Sequence, residues 1–154
     1  MSGTIEAKVT QRFEASPERV MEALLDLQSV RQWMAASLRQ SGLPGDMERV
    51  EIDAKVGGRF TFSDRRADGE AVHWGEYRII DMPGKLAFTW WTSPEEEAAD
   101  KSLVTIVLEP AETGCVATLY HEMDAAWEPY RGRTERGWER MLEGIAQWLA
   151  QSGS

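Results

Sequence analysis

Two histidines, one cysteine and a charged pair on one strand carry most of the chemistry this chain could do. His121 ends the run Gly114–His121, in which Ala117, Leu119, His121 and, just beyond, Met123 share one face of an extended strand. A histidine closing an apolar row can orient a ligand or move a proton, because it titrates near neutrality. It can equally be a hydrogen-bonded residue at the rim of a core. Glu76 and Arg78 stand two apart and so share a face. Turned inward, Arg78 would anchor a carboxylate, and Glu76 with His121 would be the candidate acid–base pair of an enzyme. Turned outward, they form a surface ion pair of small energy. Cys115 and His121, six residues apart on one strand, are separated by ~20 Å and cannot share a metal ion. No metal site, cofactor or catalytic residue is assigned, and the nucleophile-elbow, P-loop and dinucleotide-binding signatures do not occur. Cys115 has no cationic neighbour in sequence and is expected to be a small buried group. Arg131, Arg133 and Arg136 precede or open the last helix, where pairing with Glu128, Glu135 and Glu139 is expected.

These residues need elements to position them. A strand is expected over Thr4–Glu14. Ser16 then caps a helix that has Pro17 in its first position, and Val20, Ala23, Leu24 and Leu27 recur at helical spacing. Ser29 is placed to cap a second short helix through Val30, Trp33 and Met34. From Met47 the apolar period becomes two, with strands expected near Glu48–Ala54, Arg59–Ser63, Val72–Ile80, Leu86–Thr92, Leu103–Glu109 and Val116–Met123. The breaks between them are turn-rich, and the acidic run Glu95–Glu97 reads as a solvated hairpin loop. Short connections imply an antiparallel meander. The last helix carries Trp138, Met141, Leu142, Ile145 and Leu149 on one side. A curved sheet with one face to bury and a helix with one apolar stripe are expected to cover each other.

Strand alternation assigns the inward faces: Phe60 and Phe62; Leu86, Phe88 and Trp90; Val104, Ile106 and Leu108; Leu119, His121 and Met123. Val72–Ile80 admits two phases. One turns Trp74, Glu76, Arg78 and Ile80 inward, the other His73, Gly75, Tyr77 and Ile79. The first is preferred for its larger apolar pair, although a bulge near Gly75 could break the phase. A cavity bounded by these residues would have Trp33 and Trp74 near its mouth, Glu76, Arg78 and His121 as polar groups, and Met123 and Met141 as adaptable walls.

At 154 residues the chain is expected to form a single domain over 1–154. Its composition, 42% hydrophobic and 28% charged, is that of a soluble globular protein. A net charge of −9 and a pI near 4.8 argue against nucleic acid and against anionic membranes as partners. No apolar run reaches the ~20 residues of a membrane span. The opening residues lack the order of a signal peptide, so a cytoplasmic location is expected.

Several segments together carry a resemblance: ASPERVMEAL, VGGRFTF, GEYRIIDMPGKLAFTWW, the strand Gly114–His121 and RGW at the head of the last helix. In order and spacing, over about residues 5–150, they resemble the activator of heat-shock-protein-90 ATPase homologue-like family of the START-like, helix-grip superfamily. The resemblance implies an α+β helix-grip fold in the order β-α-α-β6-α, with a cavity between the sheet and the long C-terminal helix. It implies binding of a hydrophobic or amphipathic small molecule. A cyclase-like enzyme, a chaperone-interacting protein and a homodimer are the alternatives it leaves open.

Overall fold

A computed structural model describes residues 3–40, 42, 47–66 and 69–151. Strand β1 (Thr4–Phe13) leads into helices α1 (Pro17–Leu25) and α2 (Leu27–Gln40). Strands β2 (Met47–Ile52), β3 (Arg59–Arg66), β4 (Gly69–Asp81) and β5 (Lys85–Thr89) follow, then a short helix α3 (Pro94–Ala99). Strands β6 (Leu103–Pro110) and β7 (Cys115–Asp124), a 3-10 helix (Ala125–Tyr130) and the long helix α4 (Arg131–Gln151) complete the chain. The seven strands form one curved antiparallel sheet in the order β1-β7-β6-β5-β4-β3-β2. No helix among the described residues is long and apolar enough to cross a membrane.

The sequence places most of these elements, and local chemistry explains the departures. Ser16 does cap α1, its hydroxyl accepting the Arg19 N–H at 3.2 Å, with Pro17 in the first position. The second helix starts earlier than a Ser29 cap implies. Asp26 ends α1, its N–H bonded to the Glu22 carbonyl, while its carboxylate accepts the N–H and hydroxyl of Ser29 at 3.0 and 2.9 Å. The acidic run read as a loop is instead α3. Ser93 accepts the Glu96 N–H at 3.2 Å, Pro94 fits the first position, and three glutamates sit at the positive end of the helix dipole. The strand expected over Leu86–Thr92 stops at Thr89, with Trp91 rejoining the sheet through a single bridge to Trp74.

Helix α4 buries Trp138, Leu142, Ile145 and Leu149, with Met141 half-buried beside them. Its stripe covers the inner face of the sheet and meets α2, with Gly144 facing Ser37. Phe60 lies at the centre of an aromatic cluster, 5.0 Å from Phe62, 5.3 Å from Tyr77, 5.5 Å from Phe88 and 6.0 Å from Trp90 between ring centroids. Gly75 makes room for it: a Cβ there would collide with the Thr89 carbonyl and lie 2.6 Å from the Phe60 ring.

The preferred phase of β4 is corrected. Tyr77 pairs with Phe88 and is buried, while Ile79 pairs with Ala87, so a bulge falls between Tyr77 and Ile79. Up to Tyr77 the inward residues are His73, Gly75 and Tyr77. Beyond the bulge Ile80 packs on the core and Ile79 is exposed. Neither regular phase survives, because one extra residue exchanges the two faces.

Candidate functional site

Between α2, α4 and the β3–β4–β7 part of the sheet lies a cavity of about 570 Å³, within the range of small-molecule sites. Trp33 and Met34 from α2, Phe62 from β3, Trp90 after β5, and Trp138 and Met141 from α4 form its apolar floor. Those same six side chains also wall a smaller void of about 40 Å³ below, completed by Phe60, Phe88, Leu119 and Leu142 among others. The rim carries Glu95, Glu96 and Ala99 of α3, Lys101 and Ser102, Asp124, and Trp127 of the 3-10 helix.

His121 stands in the wall under Trp138 and is 5% exposed. The Trp138 Nε1–H donates to His121 Nδ1 at 3.0 Å, and Ser102 Oγ lies 2.8 Å from Nε2. An indole N–H only donates, so Nδ1 must be the accepting, unprotonated nitrogen. The neutral ring therefore carries its proton on Nε2 and donates it to Ser102. Burial pushes the pKa of His121 down to about 4, because the charged form loses its hydration there. A Ser–His contact at hydrogen-bond distance suggests an activated nucleophile, but this tautomer is the reverse of what activation requires. Ser102 retains its own hydroxyl proton and a second lone pair, so it can donate to a ligand or accept from one.

The other rim groups are largely engaged. Lys101 pairs with Asp124 at 3.2 Å, and Asp124 also accepts the Ala126 N–H as cap of the 3-10 helix, so these hydrogen bonds hold its carboxyl below the usual carboxylate range. Glu96 accepts the N–H and hydroxyl of Thr92 at 3.0 and 2.8 Å. Asp64 is buried in the wall at 6% exposure. His73 stacks on Trp90 with centroids 4.9 Å apart.

Of the residues singled out from sequence, Trp33, Phe62, Trp90, His121, Met123, Trp138 and Met141 line the cavity. Phe60, Phe88, Leu119 and Leu142 line the lower void, and Ile145 is wholly buried in the core. Trp33 sits in the floor rather than at the mouth, its N–H bonded to the Ala23 carbonyl at 2.8 Å. Trp74, Glu76 and Arg78 are corrected: all three are on the opposite face of β4. There Trp74 donates to Glu97 at 2.8 Å, and Arg78 bridges Glu76 at 3.1 Å and Asp100 at 3.3 Å. The inner phase of β4 belongs to His73, Gly75 and Tyr77, and the large outer Trp74 is satisfied by an α3 carboxylate that a loop would not supply. Cys115 is wholly buried, and burial pushes its thiol pKa up. Arg131 pairs with Glu128 at 3.0 Å, whereas Glu135 accepts the Lys8 backbone N–H. Sequence reasoning missed Ser102, Asp64 and the α3 rim. The Ser93-Pro94 start with acids behind it was the signal for α3.

A curved antiparallel sheet gripping a C-terminal helix around such a cavity defines a helix-grip, START-like domain. The model of one family within that class, "Activator of Hsp90 ATPase homolog 1-like protein", matches residues 14–150, and this chain belongs to that family. Solved structures share the fold. The AHSA1-like protein from Aeromonas hydrophila is 20% identical, with a TM-score of 0.75 over 97% of this chain and 94% of that one. A protein from Mesorhizobium loti is 21% identical, with a TM-score of 0.72 over 99% and 100%. One from Nitrosomonas europaea is 14% identical, with a TM-score of 0.74 over 96% of each chain. The comparison with curated proteins returned no match. Fold and family support a ligand-binding or chaperone-associated role in general.

Proposed function

We propose that this chain is a cytoplasmic binding protein that holds a hydrophobic or amphipathic small molecule between its sheet and α4. The observation that carries the reading is the open cavity of about 570 Å³ with an aromatic floor and a polar rim. Apolar area removed from water supplies affinity at roughly 25 cal/mol per Å². The Ser102 hydroxyl, fixed by His121, orients a polar group of the ligand. Binding is favoured over catalysis because Glu76 stands on the far face from His121, and the Nε2 proton leaves His121 no free base toward the cavity.

Mass spectrometry of the freshly purified protein, native and then denatured, tests this. A bound mass released on denaturation is the expected result. An apo protein that also fails to take up decyl-chain probes overturns the reading and turns attention to the chaperone-associated role, measured as stimulation of the Hsp90 ATPase.

A further inference from the structure

The chemical class of the ligand can be narrowed further, on the reading that the cavity holds one. The charge around it is one-sided. Among the described residues its lining includes four acidic side chains and one lysine; Lys101 and Asp124 pair with each other and Asp64 has an interaction of its own within the protein, so Glu95 and Glu96 of α3 carry the excess. His121 is neutral in its wall, its Nδ1 held by Trp138. The floor is as selective as the rim. Trp33 and Trp138 could serve an anion through their indole N–H groups, yet both N–H groups are bonded inside the protein, to the Ala23 carbonyl and to His121. What these two offer a ligand is aromatic ring, and Trp90 and Trp127 add further ring surface to the lining. Aromatic faces within an acidic rim attract cations and disfavour carboxylates and phosphates. The short helix α3 makes the division: Glu97 turns to Arg59 and Trp74 on the outer face, whereas Glu95 and Glu96 line the cavity.

We infer that the cavity takes an amphipathic cation, an amine or quaternary ammonium head on an apolar body, with the head between the aromatic floor and the α3 glutamates. Decyltrimethylammonium, decanol and decanoate, each below its micelle concentration and at low salt, separate the charge of the head from the uptake of the tail. Calorimetric titration should give the cation a Kd about tenfold or more below that of decanoate, a gap that shrinks with added salt. Glu95→Gln with Glu96→Gln should bring the two Kd values together, whereas Glu109→Gln with Glu112→Gln, away from the cavity lining, should leave the gap intact. Equal affinity for all three probes, or tighter decanoate, overturns the charge selection while leaving the cavity's binding role standing. If no probe binds, both fall. A gap that survives Glu95→Gln with Glu96→Gln but closes on neutralising the remote pair overturns it as well, since net charge alone would then explain the preference.

Discussion

Trp138 of α4 donates its indole N–H to His121 Nδ1 of β7 at 3.0 Å, joining the long helix to the inner face of the sheet by one polar contact. Trp138→Phe keeps most of the ring and removes the donor. Leaving a buried acceptor unsatisfied should destabilise the fold by about 1–2 kcal/mol. The same change removes a hydrogen bond made only to the neutral ring, so the His121 pKa should rise somewhat from about 4 while burial still holds it below its ordinary value. NMR titration of the His121 ring checks the second effect, and chemical denaturation the first.

The buried, neutral His121 makes stability depend on pH. Its pKa is near 6.5 unfolded and about 4 folded, so between those values the unfolded chain binds the proton more readily. Stability should therefore fall as pH drops from about 6.5 towards 4, by up to on the order of 3 kcal/mol, and this contribution should level off below. Denaturation curves at several pH values, for the protein and for His121→Asn, measure it; the variant should lose that slope. Asp26, Glu97 and Asp124, whose carboxyl pKa values are lowered by their hydrogen bonds, act in a more acidic window and remain in both proteins.

Ser102 should not behave as a nucleophile. Nitrogen chemical shifts should report the Nε2-protonated tautomer of His121 at neutral pH, and a fluorophosphonate should leave Ser102 unlabelled. Rapid labelling, abolished by His121→Asn, would contradict the hydrogen-bond direction derived from the Trp138 donor.

Gly75→Ala tests the close crossing of Phe60 over β4. The new methyl would press on the Thr89 carbonyl and the Phe60 ring, and overpacking of this kind costs about 1–3 kcal/mol. Thermal or denaturant unfolding reads the loss directly.

Arg78→Ala should leave ligand affinity unchanged. Its ion pairs with Glu76 and Asp100 lie on the outer face and are half exposed, so the stability change should stay within about 1 kcal/mol. A calorimetric titration with decyltrimethylammonium checks the first statement; weakened binding would place the guanidinium nearer the ligand than β4 allows.

How much was legible in the sequence depended on regularity. Strand β7 alternates without interruption, so Ala117, Leu119, His121 and Met123 could be turned inward from spacing alone, and all four are buried. The stripe of α4 was equally readable over its length. Strand β4 was not, because the bulge after Tyr77 exchanges its faces part-way, and because Trp74 is large yet lies outside. Trp91 is a second large outer residue, turned away from Phe88 and Trp90 as alternation implies and buried there with the Arg59 guanidinium 5.8 Å from its ring. The rim escaped notice because α3 has six residues, too few for a hydrophobic period to register. Ser102 carries no motif, and only the tertiary approach of His121 gives it a role.

The floor of the main cavity is one side chain thick, since the six residues that bound it above also bound the void of about 40 Å³ beneath. Trimming a single floor residue, such as Met141, would open a passage into a deeper annex without moving any backbone. The space beneath α4 is thus adjustable by side-chain exchange, with the sheet left as it is.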